Sequence, residues 1–371
     1  MRPTAAYIDL AAIRHNLRTI REATAPAAKL IAVVKANAYG HGAVPVSKAL
    51  LAAGADALAV AIPEEGAELR QAGITVPILI LGLSLPAEAA FYIQQDLTAT
   101  VSTRDGLEAL AAAARRAGSK ASVMIKCDTG MGRIGLLPPD AAEFIRQAAQ
   151  MPDIELRGLM THMAAADAAD KTCARRQLAS FRELWQDLAG RQIPLPILTA
   201  ANSAAIIDLP EAHLAAVRPG IILYGLQPSG QLLHHLDLKP AMELKTKIVY
   251  IKKAAAGTHV SYGETYTASR DVYLATLPIG YADGYSRHLS NRASVLINGK
   301  RRRLAGRVCM DQIIVELGET CDAAVGDEAV LFGRQGSEEI SVTELAELAG
   351  TINYELVCAV SRRVPRIYLN E

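Results

Sequence analysis

The chain has 371 residues, more than one core usually accommodates, so a large domain with a smaller companion is expected. Lys and Arg number 39 against 38 Asp and Glu, so there is no global positive field to gather nucleic acid or anionic membrane, and a small-molecule substrate is expected instead. Five scattered cysteines (Cys127, Cys173, Cys309, Cys321 and Cys358) without CxxC spacing argue against a disulfide framework or a zinc site. The opening MRPTAAYIDL lacks a secretory pattern and no apolar run is long enough to span a bilayer, so the cytoplasm is the expected location.

In chain order, short β-branched runs alternate with Ala-rich amphipathic stretches up to about residue 235. The runs are KLIAVVK (29–35), ALAVAI (57–62), PILILGL (77–83), LTATVS (97–102), SVMIKCD (122–128), LRGLMTH (156–162), PILTAAN (196–202) and AVRPGIILYG (216–225). Segments such as TRDGLEALAAAARRAG between them carry apolar residues at three- and four-residue spacing. Eight strands each followed by a helix predict a closed (β/α)8 TIM barrel, with an open doubly wound sheet as the alternative. After Pro240 the helical period fades and strand-like runs separated by Gly, Asn and Asp take over, with ING (297–299) marking a hairpin and SVTELAELAG one helix. The α/β chain is therefore divided into a barrel at 1–238 and a mainly β C-terminal domain at 239–371.

In a parallel barrel, reacting groups stand at the C-terminal strand ends. There the sequence places Lys35 on the first strand, Lys126 and Asp128 on the fifth with Arg133 in the following loop, and His162 on the sixth. Asn202 and Ser203 end the seventh, and Arg218, Gly220 and Ile221 lie on the eighth. A lysine ending a buried strand is costly unless neutral or engaged, which suits a Schiff-base lysine; a side chain snorkelling outward is the equal alternative. Asn202-Ser203 and Pro219-Gly220-Ile221 are small residues placed where backbone N–H groups cradle phosphate. A lysine and a phosphate cradle on one barrel face point to pyridoxal 5'-phosphate.

The segment AVVKANAYGHG (32–42) resembles the cofactor-lysine segment of bacterial alanine racemases, pyridoxal-phosphate enzymes of fold type III. The resemblance continues through DTGMGRIG (128–135), MTHMAAAD (160–167), AANSAA (200–205), VRPGIILYG (217–225), SYGETYTA (261–268), PIGYADGY (278–285), GRVCMDQ (306–312) and TINYE (351–355), in the family's order. It implies that Lys35 binds the cofactor and serves as the base on the D face, with Tyr262 the base on the L face. Tyr39, Ser203, Tyr354, Gly220 and Ile221 would hold the phosphate beside Asn202, and Arg218 would face the pyridine nitrogen. A guanidinium (pKa above about 12) hydrogen-bonds that nitrogen without protonating it, so the cofactor is a weaker electron sink and transamination is disfavoured. His162 would relay the charge of Arg218 toward Tyr262 and lower its pKa.

The resemblance further implies that the Met310 backbone N–H binds the substrate carboxylate, that Arg133 hydrogen-bonds that carboxylate or the cofactor's phenolic oxygen, that Tyr281 narrows the entrance, and that Asp311 orients its loop. Lys126 matches a position that is often carbamylated. Tyr262, Tyr281 and Met310 would act in the neighbouring subunit of a homodimer. The reaction would interconvert L- and D-alanine, for peptidoglycan or for alanine catabolism.

Rival readings are a non-catalytic pyridoxal-phosphate-binding regulatory protein, an amino-acid decarboxylase, and a serine or broad-specificity racemase. The first lacks a β domain. The second is expected to show a Gly-rich loop and a carboxylate where Arg218 stands. The third differs only in pocket size. The arginine run 301–303, next to ING, reads as a solvated surface rather than a nucleic-acid site.

Overall fold

The computed structural model describes residues 2–371 and divides into two compact units. Strand β1 (Ala5–Asp9) comes first, followed by the eight strands of a closed parallel barrel. These are β2 (Lys29–Val33), β3 (Ala57–Val60), β4 (Ile78–Leu83), β5 (Thr98–Val101), β6 (Ala121–Lys126), β7 (Ile154–Met160), β8 (Ile197–Thr199) and β9 (Ala216–Val217). The barrel closes where Lys29 and Leu30 pair with Ala216 and Val217. Parallel strands are covered on both faces, so they read as unbroken apolar runs; Leu58, Val60, Ile78, Ile80, Val123 and Ile125 are fully buried. The surrounding helices carry ordinary start signals: Thr103 accepts the Gly106 N–H at 3.3 Å and opens the helix Arg104–Ala117. The barrel expected from the sequence is therefore the one observed.

The second unit is mainly β. Its seven-stranded sheet runs in the order Lys300–Arg303, Ser294–Ile297, Glu328–Gln335, Met242–Lys247, β1, Arg366–Leu369, with Glu338–Ile340 added to Glu328–Gln335. The expected hairpin turns on Asn298 (φ 52°) and Gly299 (φ 69°), the two positive dihedrals that a tight I′ turn demands. A three-stranded sheet, Tyr250–Ala254, Val272–Leu277 and Ile313–Gly318, packs Ala254, Val260, Val272 and Leu274 into a separate small core. The basic run is partly paired by neighbours: Lys300 reaches Asp322 at 2.6 Å, Arg301 reaches Glu344 at 2.6 Å, and Arg302 shares Asp322, while Arg303 donates to the Asn291 carbonyl.

Three expectations change. Residues up to Ala11, assigned above to the barrel domain 1–238, belong to the β unit, because β1 pairs with Met242–Lys247 and with Arg366–Leu369. Residues 39–42 join the same unit. A second helix, Asn353–Ala359, follows Val342–Ala349 where one was expected. Among the described residues no helix is long and apolar enough to cross a membrane.

Candidate active site

Lys35 is not the last residue of its strand. β2 ends at Val33, the Val34 N–H is held by the Ala59 carbonyl at 2.8 Å, and Lys35 opens a turn of left-handed helix. Ala36, Asn37, Ala38 and Tyr39 all have φ between 51° and 55°. Each such residue costs roughly 1–2 kcal/mol against the right-handed form, Asn least, so the turn persists only where its surroundings impose it. Local bonds do part of this: the Ala38 N–H reaches the Val34 carbonyl at 2.8 Å, and Asn37 Oδ1 accepts the Ala43 N–H at 2.7 Å.

The ends of β6, β7 and β9 supply a cluster of positive charge. Arg218 is 4% exposed and donates to Thr199 Oγ1 at 2.6 Å, the Thr161 carbonyl at 2.7 Å and the Ala200 carbonyl at 3.2 Å. Burial lowers its pKa to about 10, still a cation at neutral pH, and no carboxylate among the described residues pairs with it. Its Nη2 also lies 3.4 Å from His162 Nδ1. Arginine can only donate, so Nδ1 accepts and the imidazole proton sits on Nε2. Burial, then Arg218, Lys126, Arg133 and Lys35, depress the His162 pKa to about 2, so the ring is neutral.

Lys126, 4% exposed at the end of β6, makes no hydrogen bond through its Nζ among the described residues. Burial, with Arg218 beside it, lowers its pKa to about 7. Asp128 folds the next loop by accepting the N–H groups of Gly130, Met131 and Gly132 at 2.8–2.9 Å, which presents Arg133 on the exposed surface.

After β8, Asn202 caps the short helix Ser203–Asp208 by accepting the Ala205 N–H at 3.1 Å, and its Nδ2 donates to the Met163 carbonyl at 3.3 Å. Ser203 Oγ accepts the Gly220 N–H at 2.9 Å, which joins the ends of β8 and β9. That Gly220 donor is engaged within the protein, whereas Ile221 opens a 3-10 turn, where N–H groups have no intrahelical acceptor. The sequence-selected barrel residues thus form two sets at these strand ends, a hydroxyl bonded to a backbone donor and a cluster of cations about His162. Such sets suit an anion carrying a hydrogen-bond acceptor ring.

The remaining expected residues lie in the β unit, where the structure joins them in two groups. Tyr39 and Tyr354, 315 positions apart, bring their ring centroids to 6.1 Å at a 50° tilt. Burial, and secondarily Cys358, push the Tyr39 phenol above its usual pKa. The second group is Tyr262, Tyr281 and Met310, which are 71%, 43% and 53% exposed. Ser261 (φ 66°) donates its hydroxyl to the Arg307 carbonyl at 2.7 Å, while the Tyr281 and Ala282 N–H groups donate to the Cys309 and Met310 carbonyls, both at 3.0 Å. A Cβ on Gly280 would lie 2.2 Å from the Cys309 carbonyl oxygen and 2.4 Å from that of Met310, so only glycine permits this approach. Asp311 pairs with Arg363 at 2.7 Å, an orienting contact.

Sequence reasoning missed several supports. Thr161 and Thr199 fix Arg218. Asp283 is fully buried beneath Tyr281 in the chain and accepts the Gly280 N–H at 3.0 Å and both Arg2 Nη groups at 2.5 Å. Burial alone would raise its pKa, but Arg2 and that N–H together hold it below the usual carboxylate range. An acidic residue inside an otherwise apolar, glycine-bearing loop was the available signal.

A closed parallel barrel with buried cations at the ends of β6 and β9, and a hydroxyl and a backbone amide joining the ends of β8 and β9, has the layout of a barrel-class enzyme that binds an anionic group. The family model for the alanine racemase N-terminal domain matches residues 8–228, and that for the C-terminal domain matches 241–368. The chain is 48% identical over 370 residues to the alanine racemase of Halothermothrix orenii, covering 100% of this chain and 98% of the relative. It is 47% identical over 371 residues to that of Methanococcus maripaludis, covering 99% of each. The alanine racemase structure from Clostridium difficile superposes with a TM-score of 0.95 at 41% identity, covering 100% of this chain and 96% of that one. The Bacillus anthracis enzyme with bound L-Ala-P gives 0.94 at 39% identity, covering 100% and 96%. The chain belongs to the alanine racemase family, isomerases that interconvert L- and D-alanine.

Proposed function

We propose that the chain racemises alanine with pyridoxal 5'-phosphate through two opposed bases, Lys35 and Tyr262, supplying D-alanine for peptidoglycan or serving alanine catabolism in the cytoplasm. The observation that carries this reading is Arg218: buried, cationic, without a carboxylate partner among the described residues, and bonded to a neutral His162. The residues fit that cofactor. Ser203 and the Ile221 backbone would take the phosphate with Tyr39 and Tyr354, with Asn202 and Gly220 shaping the cradle. Arg218 would meet the ring nitrogen as a donor. When bound, pyridoxal phosphate supplies an electron-withdrawing ring that makes the substrate Cα–H acidic.

The chain's own groups divide the remaining work. Lys35 holds the cofactor and moves the Cα proton on the D face, and the Tyr262 phenol does so on the L face. A tyrosine is normally protonated at neutral pH (pKa about 10). An Nε2–H on His162, backed by the Arg218 charge, is the donor type that would stabilise its phenolate. Arg133 and the Met310 N–H fix the substrate carboxylate, and Tyr281 restricts the side chain to a small one. A neutral, unbonded Lys126 amine would attack carbon dioxide, form an N–C bond and release a proton; the resulting carbamate anion would orient Arg133.

Tyr262, Tyr281 and Met310 are held rigidly yet stand exposed, which supports a homodimer in which each chain completes the other's site. The deciding experiment incubates purified protein with L-alanine in deuterated water. Loss of optical rotation with deuterium entering at Cα is expected; release of carbon dioxide, or no reaction, overturns the reading.

A further inference from the structure

We propose that Glu65 is a positioning residue for Lys35, its carboxylate holding the left-handed turn that presents the lysine. Glu65 is the third residue of the helix Pro63–Gln71. Its Oε1 accepts the Ala36 N–H at 2.6 Å, while Oε2 accepts the N–H groups of Ala61 at 2.8 Å and Ile62 at 3.4 Å. The second set is what any glutamate at this helical position does. The first is different, because it reaches across to the residue immediately after Lys35. The anchor is firm: Ala61 follows β3 and its carbonyl accepts the Gly82 N–H at 3.0 Å from β4. The object it holds is not. Ala36 is exposed, at φ 53°, with no side chain able to stabilise a left-handed backbone.

Three N–H donors from two segments converge on two oxygens of one anion, and only a carboxylate of this length accepts from both segments. Without it, Ala36 would turn its N–H to water and relax, and the Lys35 amine would lose its fixed approach. Glu65 thus acts through the backbone of residue 36 and touches no reacting atom. The inference rests on Lys35 as the cofactor lysine, yet the two fail separately: visible absorbance surviving in Lys35→Ala sinks that reading whatever Glu65 does.

Glu65→Gln retains one acceptor but sets an NH2 group against the other donor. In the full-length chain, amide exchange at residue 36 should quicken at least tenfold. Recovery of visible absorbance when pyridoxal phosphate is added to stripped protein should slow at least fivefold. For the loaded enzyme, kcat should fall at least tenfold with KM for alanine within threefold. Adding Ala36→Gly, which removes the left-handed penalty, should restore part of kcat, an effect that loss of a helix cap does not predict. Ser341→Ala removes the cap of Val342–Ala349 and should change none of these readings. If Glu65→Gln does not fold, Glu65→Asp, long enough for the cap but short for Ala36, is read in the same way. Unchanged exchange at residue 36 and unchanged absorbance recovery overturn the proposal.

Discussion

The two units hold their functional groups by opposite means. In the barrel, Arg218 and Lys126 are buried, and burial itself sets their chemistry by lowering the pKa of each. In the β unit, Tyr262, Tyr281 and Met310 stand in solvent, and what is fixed is the backbone beneath them, through Ser261, Gly280 and Asp283. A buried cation takes its proton affinity from its surroundings, so it needs a finished pocket. Exposed side chains on a rigid backbone are oriented by their own unit without being enclosed by it.

The largest expected effect breaks that contrast directly. Lys35→Ala and Tyr262→Phe should each abolish racemisation, and the first should also remove the visible absorbance. Mixed, unfolded and refolded together, they should recover about a quarter of wild-type activity, since half the dimers are hybrid and each hybrid rebuilds one site. No recovery would place both bases in one chain's site. Next comes Gly280→Ala, whose new Cβ collides with backbone 2.2–2.5 Å away in the 309–310 segment. Displacing Tyr281 and Met310 by about 1 Å should lower kcat/KM about 100-fold, with cofactor absorbance intact; lost absorbance would show that the two units are not independently framed.

Smaller effects sharpen the comparison. With Lys126 near pKa 7, the neutral amine grows as pH rises through that value. Added bicarbonate should therefore raise activity about two- to fivefold at pH 8 and little at pH 6, and Lys126→Ala should erase the difference. A gain persisting in that variant excludes carbamylation there. The same shift has a stability sign. Between pH 7 and 10.5 the unfolded chain binds the proton that folded Lys126 releases, so this residue's contribution to stability rises with pH across that window. The smallest effect belongs to Gly299→Ala. A Cβ there would make only ordinary contact, 3.9 Å from the Gln335 carbonyl oxygen, but φ is 69°, so the variant should lose about 1 kcal/mol and a few degrees of Tm with kcat unchanged. A fall in kcat would tie the hairpin to the site.

Much of this was legible in the sequence because the barrel obeys local rules. Strands buried on both faces print as apolar runs, and Lys35, Lys126, His162 and Arg218 stand out as polar interruptions at their ends. The family resemblance supplied the tyrosines. What escaped was non-local or contrary to propensity. β1 pairs with strands more than 230 residues onward, and no local pattern names its partners. Ala-Asn-Ala-Tyr contains no glycine, and nothing in it suggests a left-handed helix. Glu65 reads as an ordinary helix-start glutamate until its second oxygen is seen. The helix Asn353–Ala359 is too short for its apolar period to register.

The pairing of β1 also bears on how the protein is made. One neighbour, Arg366–Leu369, lies 360 residues further along the chain (Ala6 pairs with Arg366). At roughly 5–20 residues per second, the amino-terminal strand must wait on the order of tens of seconds on the ribosome with its edge uncovered, while the barrel that follows it can already close. Removing residues 366–371 should therefore injure β1, made long before them, and a chaperone that shields emerging edges has a long opportunity there.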